Sequence, residues 1–341
     1  MSTSRELLAR QWLDSLFSPN AYTLGLLAGD ASFRRYFRLT DSHGTQRVLM
    51  DAPPEKENCE PFLRIAHHWH RLGIPVPSVI AENTDMGFIL LEDFGDVTLM
   101  KRIEESSPDE VYQLCIDALL SLQSAAPPPG LPDYDEPLLR REIALFSDWL
   151  IAQYLELKPS SALQASLDRW FDSLVTNALN QPRVPVHRDY HSRNLMVPAF
   201  QPLGILDFQD AVMGPYTYDV VSLVKDCYVR WPAAKIQRWS RAFYERLPET
   251  IRAQRTPEAF DIDCAFMGMQ RHLKASGIFA RLFLRDGKTG YLNDIPNTLL
   301  YIEEALEALP EFADIKAWLN DTVQPRLAAK LSAREPATCA P

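Results

Sequence analysis

The chain has 341 residues, of which 46% are hydrophobic and 23% are charged, and its formal net charge is −10. This length predicts about two domains with sizeable cores, and the acidic balance argues against a general nucleic-acid-binding protein. The 5 cysteines show no C-x-x-C spacing, which argues against a zinc site or a disulfide framework and favours a reducing cytoplasm. The N-terminal stretch is too charged for a signal peptide, and no apolar run is long enough to span a membrane.

The first part of the chain is predicted to form a helix followed by a small sheet. Apolar residues recur at helical spacing in residues 4–17 and again in 57–72. Alternating apolar patterns bounded by turn residues predict strands at 22–27, 35–40, 47–51, 78–81 and 88–91. The short stretch Gly29-Asp30-Ala31-Ser32 lies between the first two strands. We interpret it as a loop over nucleotide phosphates, with the Ser32 hydroxyl near them, and a plain β-turn is the equal alternative.

The remainder of the chain is predicted to be mostly helical. Ser107 followed by Pro108 and Glu110 is typical of a helix start. Further apolar periodicity predicts helices at 137–157, 163–179, 220–228 and 267–279. Asp219 precedes the third of these and could cap it. We expect Asp219 to brace the neighbouring site rather than to act in catalysis.

The stretch 186–210 carries the strongest chemical signal. It reads His187-Arg188-Asp189, then Asn194, an apolar hairpin, and Asp207-Phe208. H-R-D-x-x-x-x-N followed by D-F is the order found in the kinase fold. In this interpretation Asp189 orients an attacking hydroxyl and accepts its proton, and Asn194 and Asp207 supply oxygen ligands to Mg²⁺. Each residue alone could simply belong to a turn, but the joint pattern indicates phosphoryl transfer.

The whole chain resembles the aminoglycoside phosphotransferase (APH) superfamily of small-molecule kinases. The resemblance rests on Gly29-Asp30-Ala31-Ser32, Gly73-Ile74-Pro75-Val76-Pro77, His187-Arg188-Asp189 with Asn194, and Ile205-Leu206-Asp207-Phe208. It implies an α+β, bilobal, protein-kinase-like fold with a small β-rich N-lobe, residues 1–94, and a large mostly helical C-lobe, residues 95–341. Most members have H-G-D where this chain has His187-Arg188-Asp189. Only a few residues separate Asp207-Phe208 from the next helix, which argues against a protein kinase.

The resemblance also implies a nucleotide site, with one departure from the usual pattern. Met50 stands where a kinase fold places its strand lysine. We expect Arg34 or Arg35 to hold the phosphates instead, and solvated edge-strand charges are the alternative. Glu57 or Glu60 could play the helix glutamate, but a solvated charge is favoured for both.

The position of the hinge is implied as well. Backbone groups of Glu92, Asp93 and Phe94 are expected to contact the adenine of ATP. The side chains themselves offer little support, so this expectation depends on their place in the fold.

Within the superfamily the chain looks most like bacterial kinases of cell-wall amino sugars. These use ATP and Mg²⁺ to phosphorylate the anomeric hydroxyl of N-acetylmuramate and N-acetylglucosamine, and the product feeds UDP-N-acetylmuramate formation in peptidoglycan recycling. Residues 225–290 contain 13 Lys and Arg against 7 Asp and Glu, so this part of the chain is basic. The lactyl carboxylate of N-acetylmuramate would suit such cations, and Arg271 and Lys274 are the candidates for contacting it.

Three other functions stay open at this point. A kinase of another small molecule, such as an aminoglycoside, choline or homoserine, fits the same motifs. A nucleotide-binding scaffold without turnover is supported by Met50, and opposed by the presence of Asp189, Asn194 and Asp207. A protein interaction module has only the acidic surface in its favour.

Overall fold

A computed structural model describes residues 4–19, 21–29, 33–105, 107–198 and 203–334 of the chain. Internal contacts divide the protein into two compact units, one within residues 1–130 and 193–210 and the other within 131–192 and 211–341. The lobe boundary after residue 94 stays a prediction. Among the described helices, none combines the length and the apolar character that crossing a membrane requires.

The first unit contains an antiparallel sheet and helices packed on it. Its strands are β1 (Tyr22–Gly29), β2 (Arg35–Asp41), β3 (Gln46–Asp51), β4 (Val79–Asn83) and β5 (Phe88–Glu92), with the short pair β7 (Leu195–Met196) and β8 (Gly204–Ile205). Its helices are α1 (Ser4–Asp14), α2 (Glu60–Arg71), α3 (Leu99–Glu105) and α4 (Pro108–Ser124). The first five strands form one sheet in the order β1-β2-β3-β5-β4.

One face of this sheet packs against α1, and the other lines a cavity. Successive side chains of a strand point to opposite faces. On one face Phe37 and Leu49 pack with Trp12 of α1 in an apolar core, and the Trp12 ring stacks on Phe88 with centroids 5.8 Å apart. Burying a side chain of this size contributes about 1.5–3 kcal/mol. The opposite face presents Tyr36 and other residues to the cavity described below.

The second unit is built around a long helix. Its elements are β6 (Arg183–Val186), β9 (Val212–Pro215), α5 (Glu136–Leu145), α6 (Ser161–Asn180), α7 (Tyr218–Val224), α8 (Ala233–Glu245), α9 (Glu249–Arg252), α10 (Pro257–Asp286), α11 (Ile295–Leu306), α12 (Ala313–Trp318) and α13 (Gln324–Ser332). Thr256 caps the start of helix α10, with its hydroxyl accepting from the Ala259 N–H at 3.3 Å, and Gly287 with φ 69° caps its end. A Cβ on Gly277 would lie 2.2 Å from the backbone of Leu145, so α10 and α5 approach closely.

Most predicted elements are present, with several differences. The helix predicted at 267–279 is part of the longer α10, Pro257–Asp286. The predicted helix 137–157 is α5 followed by π-helical turns over Phe146–Tyr154. Strands β6 and β9, which pair antiparallel, were not predicted. Each is only 4 residues long, and the proline within β6 argues against a strand. Helix α3 was also not predicted, and its 7 residues are too few for a periodic pattern.

Candidate active site

The hairpin predicted between Asn194 and Asp207 is present. Strand β7 pairs with β8, and the Leu206 N–H donates to the Asn194 carbonyl at 2.9 Å. This pairing brings the Asn194 amide nitrogen 3.3 Å from a carboxylate oxygen of Asp207. Asp207 has φ 66°, a left-handed conformation that Asp tolerates better than most residues. The Gln209 side chain donates to its other oxygen at 2.8 Å. Two hard-oxygen side chains therefore meet where the sequence predicts a metal.

A cavity of about 340 Å³ lies in the first unit beside this pair. Its lining includes Tyr36, Arg38, Val48, Leu91, Glu92, Asp93, Phe94, Asn194, Met196, Leu206, Asp207 and Phe208. The predicted metal residues and the three predicted hinge residues thus line one space. Its volume lies within the range of small-molecule sites.

Hydrogen bonds hold the acidic side chains of the predicted hinge. The Glu92 carboxylate accepts from the hydroxyl of Ser78 at 3.0 Å and from its N–H at 3.2 Å. The Asp93 carboxylate accepts from Arg38 at 2.6 and 3.1 Å. Because these acidic side chains are held by the protein, they shape the cavity wall rather than offering free charge to a ligand.

Phe94 forms the wall next to the β7–β8 hairpin. A Cβ on Gly204 would lie 2.3 Å from the Phe94 ring, so only a residue without a side chain fits at position 204. The ring is buried, with 7% of its residue surface exposed. The hairpin that carries the metal residues therefore also positions a predicted nucleotide contact.

Arg34 is buried and forms an ion pair with Glu57. Its Nε lies 3.2 Å from Glu57 Oε2, and the Glu57 side chain is only 12% exposed. The expectation of a solvated Glu57 is therefore wrong, because its carboxylate accepts from both Arg34 and the Phe33 N–H. Glu60 fits the expectation, since it is 63% exposed and pairs with Arg64 one helical turn away.

The charge of Arg34 is maintained within this environment. Burial lowers the pKa of Arg34, but Tyr36, Glu57 and Asp207 raise it, and the net direction is upward. The influence of Asp207 links Arg34 electrostatically to the predicted metal residues.

The other candidates for phosphate binding have different surroundings. Arg35 donates to Asp51 at 2.6 Å, and alternation along β2 places it on the face that packs against α1. Asp51 is 1% exposed and also pairs with Arg5. Met50 is 1% exposed as well, and because it is a methionine it places no cation at that strand position. Ser32 lies outside the described residues.

The start of the predicted catalytic loop, His187 to Asp189, lies in the second unit and is braced by Asp219. The Asp219 carboxylate accepts from the His187 N–H at 2.7 Å and from the Arg188 N–H at 3.0 Å. Burial raises the pKa of Asp219 to about 7, and the two N–H groups oppose that rise. The expected bracing role is confirmed by these bonds. The N-cap position of α7 is Thr217, whose side chain makes no capping bond, and Asp219 lies inside the first turn.

Arg188 has φ 75°, a left-handed conformation. Glycine adopts this region without strain, whereas residues with a side chain rarely do. In this chain Arg188 instead forms a buried ion pair with Glu142 of α5. This contact offsets the backbone strain, which costs about 1 kcal/mol or more.

Asp189 is half-buried and surrounded by positive charge. Burial raises its pKa, but Lys274, His191 and Arg188 lower it, and the pKa lies below its ordinary value of 3.8. A carboxylate in this state is ionised at neutral pH. It can accept a proton in the transition state once a hydroxyl is held against it.

Lys274 and Arg271 lie on one buried face of α10. The Lys274 ammonium is 3.3 Å from Glu142 and 3.1 Å from the Tyr218 hydroxyl. Arg271 donates to the sulfur of Cys227 at 3.3 Å. Both residues are therefore engaged within the protein, close to the catalytic loop.

Glu142 was not predicted as a site residue. It is 5% exposed, and it pairs with Arg188 and Lys274 while accepting from the Tyr134 hydroxyl. Its position offered a signal, because it interrupts the apolar stripe formed by Leu139 and Ile143 of α5 and by Phe146 just after that helix. A carboxylate on such a face needs a buried cationic partner.

Known proteins match this chain in both sequence and structure. The model of the phosphotransferase enzyme family, APH, matches residues 23–253. The N-acetylmuramate/N-acetylglucosamine kinase of Pseudomonas putida is 42% identical over 315 residues, covering 89% of this chain and 92% of that protein. The Plasmodium vivax ethanolamine kinase superposes with a TM-score of 0.64 at 14% identity, covering 90% and 88% of the two chains. Amicoumacin kinase hAmiN, solved with AMP-PNP, Ca²⁺ and Ami, gives 0.57 at 15% identity, covering 92% and 100%. The kinase-like fold is thereby confirmed.

Proposed function

Because the chain belongs to the phosphotransferase enzyme family, APH, we propose that it transfers the γ-phosphate of ATP to the anomeric hydroxyl of N-acetylmuramate and N-acetylglucosamine. A relative that is 42% identical is named as a kinase of these two sugars. The product would feed UDP-N-acetylmuramate synthesis in peptidoglycan recycling. A cytoplasmic location is part of the proposal, since ATP is the donor and Cys59, Cys115, Cys227 and Cys264 are free thiols.

The observation that carries the phosphotransfer proposal is the state of Asp189. It lies 5 residues before Asn194 in the chain, on a loop held by Asp219, and its pKa is lowered so that it is ionised. Asp189 would orient the sugar hydroxyl and take up its proton as the bond to phosphorus forms. Asp219 keeps the loop backbone in place during this step.

Asn194 and Asp207 would hold Mg²⁺. Both offer oxygen atoms and line the same cavity, and the Asn194 amide nitrogen lies 3.3 Å from an Asp207 carboxylate oxygen. In the described part of the chain no group of at least 3 His, Cys, Asp or Glu side chains could hold a metal alone. This suits Mg²⁺, which takes one or two protein oxygens and completes its shell with phosphates and water. When bound, the ion would neutralise charge developing on the phosphates.

Arg34 would contact the α- and β-phosphates in place of the strand lysine. It is buried, held by Glu57 and influenced by Asp207. The backbone at Glu92 to Phe94 would receive the adenine, and Ser32 stays a candidate for the phosphate loop. Arg35 is the weaker candidate, because Asp51 holds it on the other face of the sheet.

Arg271 and Lys274 would give the acceptor site its positive character. Lys274 is partly neutralised by Glu142, whereas Arg271 contacts a thiol. An Arg271→Met variant should therefore raise the KM for N-acetylmuramate more than that for N-acetylglucosamine, which lacks the carboxylate. Equal changes for both sugars would remove the carboxylate explanation.

The decisive experiment measures ADP release from ATP and Mg²⁺ with each amino sugar, kanamycin, choline and homoserine as acceptors. We expect turnover on the amino sugars alone, and a loss of roughly 10²–10⁴-fold in Asp189→Asn with ATP binding retained. Phosphate placement at C1 is checked by ³¹P NMR of the product. Turnover on another acceptor only, or ATP binding without turnover on any acceptor, would contradict the proposal.

A further inference from the structure

A row of aromatic rings begins beside the catalytic carboxylate in the second unit. The His191 and Tyr228 rings meet edge to face, with centroids 5.2 Å apart at 75°. Tyr228 lies 5.9 Å from Phe279, which stacks on Tyr291 at 5.7 Å and 19°. His191 and Tyr228 are partly exposed, whereas Phe279 is buried. The His191–Tyr228 end of the row is therefore accessible, and Tyr291 at the other end is partly exposed as well.

The His191–Tyr228 end lies next to Asp189. The His191 N–H donates to the Asp189 carbonyl at 3.0 Å, and the His191 ring lowers the pKa of the Asp189 carboxyl. A group that rests on the His191–Tyr228 pair is thus close to the residue that would accept a proton from it.

A buried carboxylate joins the two segments that carry these rings. Asp226 accepts from the Ser192 N–H at 2.9 Å and from the Tyr228 N–H at 3.0 Å, and it is 0% exposed. The Asn297 amide donates to the adjacent Cys227 carbonyl at 2.8 Å and fixes the segment from α11. Since one carboxylate holds the residue after His191 and Tyr228 itself, it sets the geometry of the ring pair.

This arrangement suits a ring-shaped ligand whose faces are apolar. A pyranose presents C–H groups on its faces and hydroxyls on its rim. Aromatic rings provide a rigid apolar contact at low entropic cost, and the polar edges of His191 and Tyr228 can bond to the rim. A short flexible acceptor offers no comparable face.

We propose that the His191–Tyr228 pair is the surface on which the acceptor sugar ring lies, and that Asp226 is the positioning residue that holds this pair. The inference rests on the proposed function and deepens it, because it assigns the residues that select a pyranose acceptor. It is independent of the carboxylate contact suggested for Arg271, since both sugars share the ring.

The test measures steady-state kinetics of the full chain with both sugars, varying sugar and ATP separately. The variants are Tyr228→Ala, Tyr228→Leu and Asp226→Asn, and Tyr244→Phe serves as the control because Tyr244 packs on Phe260 elsewhere in the unit. Tyr228→Ala should raise the KM of both sugars roughly tenfold, the equivalent of one aromatic contact, with the KM for ATP unchanged. Tyr228→Leu removes the ring but keeps an apolar side chain at this position, which guards against misfolding of the alanine variant.

Asp226→Asn replaces one accepting oxygen by a donor and should displace either Ser192 or Tyr228. We expect a higher sugar KM and a lower kcat, again with the KM for ATP unchanged. Sugar KM values within twofold of the unaltered protein in folded Tyr228 variants would overturn the assignment of the His191–Tyr228 pair as the sugar-binding surface. Equal rises in the sugar and ATP KM values would overturn it as well. Absence of turnover by the unaltered protein would overturn the proposed function and this inference together, so the two failures are distinguishable.

Discussion

Arg34 and Glu57 form a buried ion pair at 3.2 Å in the unit that contains the cavity. Met50 occupies the strand position where a lysine is usual in this fold, and it is 1% exposed. Arg34 lies just before β2 instead. A cation and an acidic partner are therefore present, although Arg34 is not on strand β3 and Glu57 is not within helix α2.

Replacing Arg34 tests this substitution of one cation by another. Arg34→Met should raise the KM for ATP by roughly tenfold or more, because a charge-assisted contact contributes about 1.5–3 kcal/mol. Arg35→Met is the matched variant, since it removes the neighbouring cation from the opposite face. We expect it to lower stability by loosening Asp51 while leaving the KM for ATP unchanged. The reverse result, with ATP affinity lost in the Arg35 variant only, would assign the phosphates to Arg35.

The contact between Gly204 and Phe94 gives a second prediction. A methyl group at position 204 would lie 2.3 Å from the Phe94 ring, so Gly204→Ala must displace this wall of the cavity. We expect an increase of several-fold in the KM for ATP and a loss of about 1–3 kcal/mol of stability. Gly25→Ala is the control, because its added Cβ has no neighbour within 4 Å. The idea fails if the two glycine variants bind ATP equally well.

The sequence predicts the local structure around the candidate site. The spacing of Asp189, Asn194 and Asp207 is a property of one continuous stretch, and the apolar runs on either side of Pro198 predict the hairpin that brings Asn194 to Asp207. The elements of the sheet follow in the same way from local alternation. Glu57 was considered, but its burial depends on a partner from another segment.

Long-range partners could not be identified in this way. Glu142 lies 46 residues from Arg188 in the chain, and no local pattern relates the two. The packing of Phe94 on Gly204 is equally remote. Strands β6 and β9 are short, and each depends on the other for its hydrogen bonds. In these cases the tertiary structure determines which residues meet, because the stabilising free energy comes from contacts between distant segments.

The charge of Lys274 should set the acid limb of the pH profile. The pKa of Asp189 lies below its ordinary value of 3.8 because of Lys274 and its neighbours, so Asp189 stays ionised and causes no loss of kcat/KM as the pH falls from 8 to about 5. Lys274→Met removes the strongest of these positive charges. The pKa of Asp189 should then rise, and the acid limb should move to higher pH.

Arg140→Met is a suitable comparison for Lys274→Met. It removes one positive charge from the exposed side of α5, where Arg140 pairs with Glu136 and Asp172. Its pH profile should match that of the unaltered protein. An acid limb that is the same in both variants would show that Lys274 does not control Asp189.

His272 makes stability depend on pH. It is buried, its ring stacks on Tyr301 at 4.9 Å, and its Nε2 lies 2.9 Å from the Lys225 carbonyl. Burial and the nearby charge of Arg271 lower its pKa from 6.5 to about 3. Below pH 6.5 the unfolded chain binds a proton that the folded protein excludes, so stability falls as the pH drops from 6.5 towards 3.

The His272 contribution approaches 1.4 kcal/mol per pH unit within this window. Between pH 6 and 4 the unaltered protein should therefore lose about 2–3 kcal/mol more than His272→Gln does, measured by urea unfolding at each pH. Parallel stability curves for the two proteins would contradict this assignment.

The bonds of Asp219 and Asp226 have a consequence for motion. Asp219 lies in the first turn of α7 and holds the start of the catalytic loop, and Asp226 follows the end of α7 and holds Ser192. A fluctuation that unwinds α7 releases both anchors at once. The helix and the loop should therefore exchange their amide hydrogens with solvent as one cooperative unit, at a rate set by the opening of α7 rather than by the loop's own exposure.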